Sequence, residues 1–108
     1  MRAFASLRRR GDFSRLRQRG RRVATPSLTV YRADSPPARG LPLVGISTGR
    51  AVGGAVVRNR VRRRIRAILD ELFKDHLPPQ RLLVEARPAS ANLSFERLQA
   101  ELVRAIGA

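Results

Sequence analysis

Between Gly53 and Phe73 the chain reads GGAVVRNRVRRRIRAILDELF, with six arginines in the nine positions from Arg58 to Arg66 and valines and isoleucines recurring among them. At about 100° per residue around an α-helix, Val57, Val61, Ile65, Ile68 and Leu72 fall on one stripe. Asn59, Arg62, Arg63 and Arg66 gather on the opposite side, and Arg58, Arg60 and Arg64 flank the stripe. The segment therefore has to be a helix that docks through an aliphatic face and turns guanidinium groups outward. No acidic residue between Arg58 and Arg66 can serve as an i+3 or i+4 partner. The like charges repel by a few tenths of a kcal/mol per pair, which an external polyanion would relieve.

The rest of the composition agrees with an anionic partner. The 108 residues carry 23 Lys plus Arg against 8 Asp plus Glu, a formal net charge of +15, and Lys74 is the only lysine. Arginine's flat five-donor fork grips phosphate oxygens in pairs and stacks on bases, so a nucleic acid is the leading partner class. A length of 108 with 43% hydrophobic residues supports one domain and one modest core, and the 5% of aromatics make that core aliphatic. Residues 1–10 read as a flexible basic N-terminus. The absence of cysteine excludes disulfides, thiolate zinc sites and cysteine nucleophiles. No signal-peptide core or membrane-length apolar run is visible, so the expectation is a soluble, cytoplasmic protein with no membrane role.

Along the chain, GDFSRLRQR (11–19) reads as a short helix, with Asp12 able to cap its first turn, Phe13 and Leu16 three apart, and Gly20 at its end. In SLTVYRAD the alternation of Leu28 and Val30 with Thr29 and Tyr31 predicts a half-buried strand whose Tyr31 points away from the core face. SPPARG is a turn and LPLVGIST a second strand, so the two strands are expected to form an antiparallel hairpin over 27–48. After the glycine-rich GRAVGG, the arginine helix should begin near Gly54 or Ala55 and stop before HLPPQ. RLLVEAR is an uninterrupted apolar strand suited to a central position. SFERLQAELVRAI places Phe95, Leu98, Leu102 and Ile106 at helical spacing behind a Ser94 cap.

Groove geometry leaves the kind of nucleic acid open: a basic helix enters the DNA major groove, whereas helices on RNA more often lie along phosphates and non-helical junctions. Gly53-Gly54 either present free backbone N–H groups to a phosphate at a helix N-terminus or only permit a tight turn. Intrinsic catalysis has little to work with. His76 is the only histidine and sits where a helix C-terminal cap is expected, and Asp70, Glu71 and Asp75 lie near Arg66 and Lys74 as helix ion pairs.

Taken together, VGISTGRAVGGAVVRNRVRRRIRAILDELF, the upstream LRRRGDFSRLRQRGRR and LTVYRAD, and the downstream LLVEARPASANLSFERLQAEL resemble the bacterial ribonuclease P protein subunit, whose hallmark is a GxAVxRNRxKR helix entered from a GxSVSKK strand and loop. The likeness covers almost the whole chain in order. It implies an α/β (α+β) two-layer sandwich: a small mixed sheet, an N-terminal helix, the RNR helix in a left-handed βαβ crossover against the usual right-handed rule, and a C-terminal helix.

The resemblance also implies a function. Such a protein does not cut RNA itself; it binds a large catalytic RNA that uses Mg2+ to release the 5′ leader of precursor tRNA, and is monomeric within that ribonucleoprotein. By position, Arg50, Arg58, Asn59, Arg60, Arg62, Arg63 and Arg66 fall on the catalytic-RNA-binding surface. Phe13 and Tyr31 fall on aromatics of the leader-binding cleft, and Arg17 stands where a second aromatic is expected. Gly49, Ala51 and Gly54 depart from the family's loop residues, and Arg64 takes a usually apolar position where it can snorkel along the helix edge. The competing class is a structural RNA-binding protein of ribosomal type, which has no reason to carry this ordered set of motifs.

Overall fold

The computed structural model describes residues 4–33, 43–75 and 81–107. Its elements in chain order are β1 (Ala5–Ser6), α1 (Arg10–Arg19), β2 (Arg21–Ala24), β3 (Leu28–Ala33), β4 (Leu43–Thr48), α2 (Ala55–Asp75), β5 (Arg81–Ala86) and α3 (Phe95–Gly107), with 3-10 turns at Arg50–Val52 and Pro88–Asn92. The strands form one mixed sheet in the order β1-β4-β5-β3-β2. The turn expected in SPPARG, the breaker HLPPQ and His76 lie outside the described residues.

The apolar run of β5 explains its place. Leu82, Leu83 and Val84 are all fully buried, so both faces of this strand are covered and both edges are paired. It runs antiparallel to β3, with Tyr31 opposite Leu83, and parallel to β4, with Gly45 opposite Leu83. The expected antiparallel hairpin over 27–48 is therefore corrected: β5 lies between β3 and β4. The hairpin that does form joins β2 to β3, pairing Val23 with Val30 around a Thr25-Pro26-Ser27 turn. Thr25 closes that turn, its N–H donating to the Leu28 carbonyl at 2.7 Å and its Oγ1 accepting the Leu28 N–H at 3.0 Å. RRVA shows too little apolar alternation to announce β2 by itself.

One sheet face carries the main core. Leu28, Val30, Val44, Leu82 and Val84 meet Val61, Ile65, Ile68, Leu69 and Phe73 of α2 and Leu98, Leu102, Ala105 and Ile106 of α3. Each such side chain contributes about 1.5–3 kcal/mol by leaving water. The buried stripe of α2 is turned slightly from the expected one, with Leu69 and Phe73 inside and Val57 and Leu72 only partly covered. Ser94 caps α3 as expected, its Oγ accepting the Arg97 N–H at 3.2 Å.

The opposite face holds a smaller cluster, in which Leu16 of α1 meets Leu7 and Leu83 with Phe13, Tyr31, Ala33 and Leu43 around them. The strand alternation thus placed Tyr31 correctly, and α1 adds partial cover to this second face. Two N-terminal expectations change. Residues 4–7 are part of the fold, because β1 pairs in parallel with β4, Phe4 and Leu7 are buried, and Phe4 meets Phe73 edge to face at 6.1 Å. The N-cap of α1 is Arg9, without a side-chain bond, while Asp12 sits inside the first turn.

Polar bonds fasten α3 to the sheet. The Arg32 guanidinium donates to the Ile106 carbonyl, and Glu101 accepts from the Ser27 Oγ at 2.6 Å and the Ser27 N–H at 3.2 Å. Burial pushes the Glu101 carboxyl up, but bonds from Ser27 and Thr25, with Arg97 nearby, outweigh it and leave the pKa lowered. A depressed folded-state pKa means that this stabilisation is present above the unfolded value of about 4.3 and is lost as pH falls through the folded value. Glu101→Gln is expected to cost about 1 kcal/mol at pH 7. Urea melts should show the gap to wild type closing as pH falls below the unfolded carboxylate value of about 4.3; a gap independent of pH would exclude this role.

Candidate functional site

The backbone before α2 is shaped by glycine. Gly53 has φ 152°, and a Cβ there would lie 3.0 Å from Val57 Cγ1, so this position needs glycine for conformation alone. Gly54 faces open space. Arg50 opens the preceding 3-10 turn and is exposed.

The arginines of α2 divide into four groups. Arg60 and Arg64 reach to one side, donating to the carbonyls of Ala91 at 3.2 Å and Leu93 at 3.0 Å around the second 3-10 turn. Arg64 thus lies along the helix edge as expected. Arg62 reaches to the other side and donates to Thr48 Oγ1 of β4 at 2.9 Å. Arg63 and Arg66, with Asn59, are exposed and make no hydrogen bond or ion pair among the described residues. Arg58 is half-buried and its Nε has no partner among the described residues. The outward ridge is therefore Asn59, Arg63 and Arg66, headed by Val56, which is 79% exposed.

The second constellation lies on the sheet face under α1. Gly45 of β4 allows Phe13 to rest directly on the backbone, since a Cβ there would be 2.8 Å from Phe13 Cε1. The Arg17 guanidinium lies 5.9 Å from the Phe13 ring centroid and its Nη2 donates to Glu85 Oε2 of β5 at 3.1 Å. Phe13, Arg17 and Tyr31 lie on one sheet face, and Phe13 is also a packing residue. Arg62 and Arg66 border a small cleft together with Phe13, Gly45 and Ile46, which brings the α2 arginines and the α1 face next to one another.

The family model for ribonuclease P matches residues 1–108. The chain belongs to the ribonuclease P protein family. The ribonuclease P protein component of Acidothermus cellulolyticus is 46% identical over 94% of this chain and 84% of its own length, and that of Beutenbergia cavernae is 42% identical over 89% and 80%. The Staphylococcus aureus RNase P protein structure superposes with a TM-score of 0.83 at 25% identity, covering 94% of this chain and 92% of that one.

Membership makes this protein a component of ribonuclease P, the endonuclease of tRNA processing. Within the ribonuclease P fold, Glu85 and Gly45 are the site residues that motif reading passed over. The only signal for Glu85 was the alternation that puts it on the face of Leu83; its partner Arg17 is 68 residues away in sequence. Among the described residues no group of three His, Cys, Asp or Glu side chains gathers. Lys74 pairs with Glu71 at 3.1 Å, as expected of a helix ion pair. Among the described residues no helix is long and apolar enough to cross a membrane.

Proposed function

We propose that this protein binds the catalytic RNA of ribonuclease P through the outer ridge of α2 and holds the 5′ leader of precursor tRNA on the sheet face beside α1. The observation that carries this reading is the pair Arg63 and Arg66, two exposed guanidinium groups without protein partners among the described residues, in a chain of net charge +15. Groups of this kind form charge-assisted, bidentate bonds to phosphate. Arg58, Asn59, Arg60, Arg62 and Arg50 lie on or beside the same surface, where the four guanidinium groups add to its positive potential and the Asn59 amide offers a neutral donor and acceptor.

On the sheet face, Tyr31 and Phe13 offer ring surface to single-stranded bases. Stacking contributes about 1–3 kcal/mol per base and tolerates any sequence, which suits a component that must accept many leaders. The Arg17 fork, steadied by Glu85 and the Phe13 ring, presents a further flat surface. The protein supplies binding and positioning as a monomer within the ribonucleoprotein. The RNA carries the chemistry and holds the Mg2+ that hydrolysis of the phosphodiester requires.

The test is cleavage of labelled precursor tRNA at low magnesium by catalytic RNA alone, protein alone and the two together. Efficient release of the 5′ leader only by the mixture is the expected result; cleavage by the protein alone, or no change on adding it, would overturn the proposal. Tyr31→Ala should weaken holoenzyme binding of precursor tRNA by about 1–3 kcal/mol and leave mature tRNA unaffected. An equal loss for both would take Tyr31 out of the leader site.

A further inference from the structure

Helix α1 stands on the sheet through Leu16, and its two flanks differ. Phe13 and Arg17 occupy one; Asp12, Arg15 and Arg19, three and four residues apart, occupy the other. Against that second flank lies a cleft of about 290 Å3, lined by Asp12, Arg15, Leu16 and Arg19, by Gly20 and Ala33, and by Arg81 at the start of β5. Ala33 pairs with Arg81, four residue pairs from the Thr29–Glu85 pair, a separation of roughly 13 Å along the strands. The cleft therefore shares the sheet face under α1 but lies on the opposite flank of that helix from Phe13, Arg17 and Glu85.

Its lining is chemically mixed. None of the side chains of Arg15, Arg19, Arg81 or Asp12 makes a hydrogen bond or ion pair among the described residues. Three positive groups about one hollow favour an anion, and the low-dielectric floor of Leu16 and Ala33 strengthens that attraction. The Asp12 carboxylate opposes a bare anion but accepts hydrogen bonds from hydroxyl or amino groups. A ligand that satisfies all of these together carries a phosphate, hydrogen-bond donors and a partly apolar body. The volume lies at the lower end of the range for small-molecule sites, about the size of one nucleotide.

We propose that this cleft binds a single nucleotide unit of RNA, its phosphate on Arg15, Arg19 and Arg81 and a ribose hydroxyl or base amino group on Asp12. The site lies across α1 from the Phe13 and Arg17 flank and apart from the α2 ridge, and it rests only on RNA being the partner.

The first experiment uses the full chain without RNA and titrates adenosine 5′-monophosphate, then inorganic phosphate, while following the amide resonances of Gly20 and Ala33. The nucleotide should bind at least tenfold more tightly than phosphate. Arg19→Gln with Arg81→Gln should weaken the nucleotide at least tenfold. Asp12→Asn should weaken the nucleotide several-fold yet tighten phosphate, a reversal of sign that a merely structural Asp12 would not produce. Phosphate binding as tightly as the nucleotide, or unchanged binding in the double variant, would overturn the assignment.

A second arm puts the Arg19→Gln, Arg81→Gln protein into the holoenzyme. Weaker binding of precursor tRNA alone would assign the nucleotide to the leader, and weaker binding of the catalytic RNA would assign it there. No change in either would overturn the site. Because the first arm needs neither RNA subunit nor cleavage, its failure is distinguishable from failure of the leader and α2 assignments.

Discussion

Arg63→Ala combined with Arg66→Ala is expected to flatten the dependence of log affinity on log salt for the catalytic RNA by about 1.4–1.8, taking about 0.7–0.9 for each phosphate that is no longer neutralised. Affinity itself should fall on the order of 30-fold, corresponding to about 1 kcal/mol per arginine. The choice of residues comes from the tertiary structure. Arg60 and Arg64 are occupied by the carbonyls of Ala91 and Leu93, and Arg62 by Thr48, so truncating them also removes protein bonds. Arg63 and Arg66 have no such partners among the described residues and stand clear of the core, so truncating them should leave the melting temperature nearly unchanged. Arg60→Ala with Arg64→Ala should do the reverse, costing about 1 kcal/mol of stability with a smaller change in slope. An unaltered slope in the Arg63, Arg66 variant, or a greater flattening in the Arg60, Arg64 one, would remove the outer ridge from the interface.

The second large effect concerns Gly45. It lies in β4 between the pairing of β5 and the end of β1, so its backbone cannot retreat from an added side chain. A Cβ would fall 2.8 Å and 3.0 Å from the Phe13 ring and 3.3 Å from Leu7 Cβ. The ring is in turn held against Leu7 and Leu16 and below Arg17. Gly45→Ala should therefore cost about 1–3 kcal/mol through overpacking, and Gly45→Val more. A drop in Tm of about 4–8 °C per kcal/mol is expected for a domain of this size. Since the displaced ring carries Arg17 with it, discrimination of precursor from mature tRNA should fall as well, at temperatures where the variant is still folded. Adding Phe13→Leu to Gly45→Ala should recover part of the stability and none of the discrimination. A stability change below about 0.5 kcal/mol for Gly45→Ala would refute the tight approach of Phe13 to the strand.

How much of the fold is legible in the sequence varies with the range of the interaction. The extent of α2, the Ser94 cap, the central place of RLLVEA and the direction of Tyr31 all follow from interactions within a few residues, where helix and strand periodicity report burial directly. The hairpin over 27–48 does not form, because adjacency along the chain says nothing about which strand comes between two others. That depends on which strand has the most apolar surface to cover on both faces, and Leu82, Leu83 and Val84 decide it. Strand β2 is invisible to the pattern because RRVA is held by the Thr25 turn and by pairing with β3 rather than by its own apolar alternation.

For the candidate site, the arginine run by itself established an amphipathic helix with an aliphatic stripe inside and a cationic surface outside, because the helical repeat allows no other separation of those side chains. Which arginines are free to meet a partner was decided only by the tertiary structure. The carbonyls of Ala91 and Leu93 lie 31 and 29 residues along the chain from Arg60 and Arg64, and Glu85 lies 68 from Arg17. A guanidinium takes whichever acceptor folding brings within about 3 Å, and nothing in the local sequence encodes that distance.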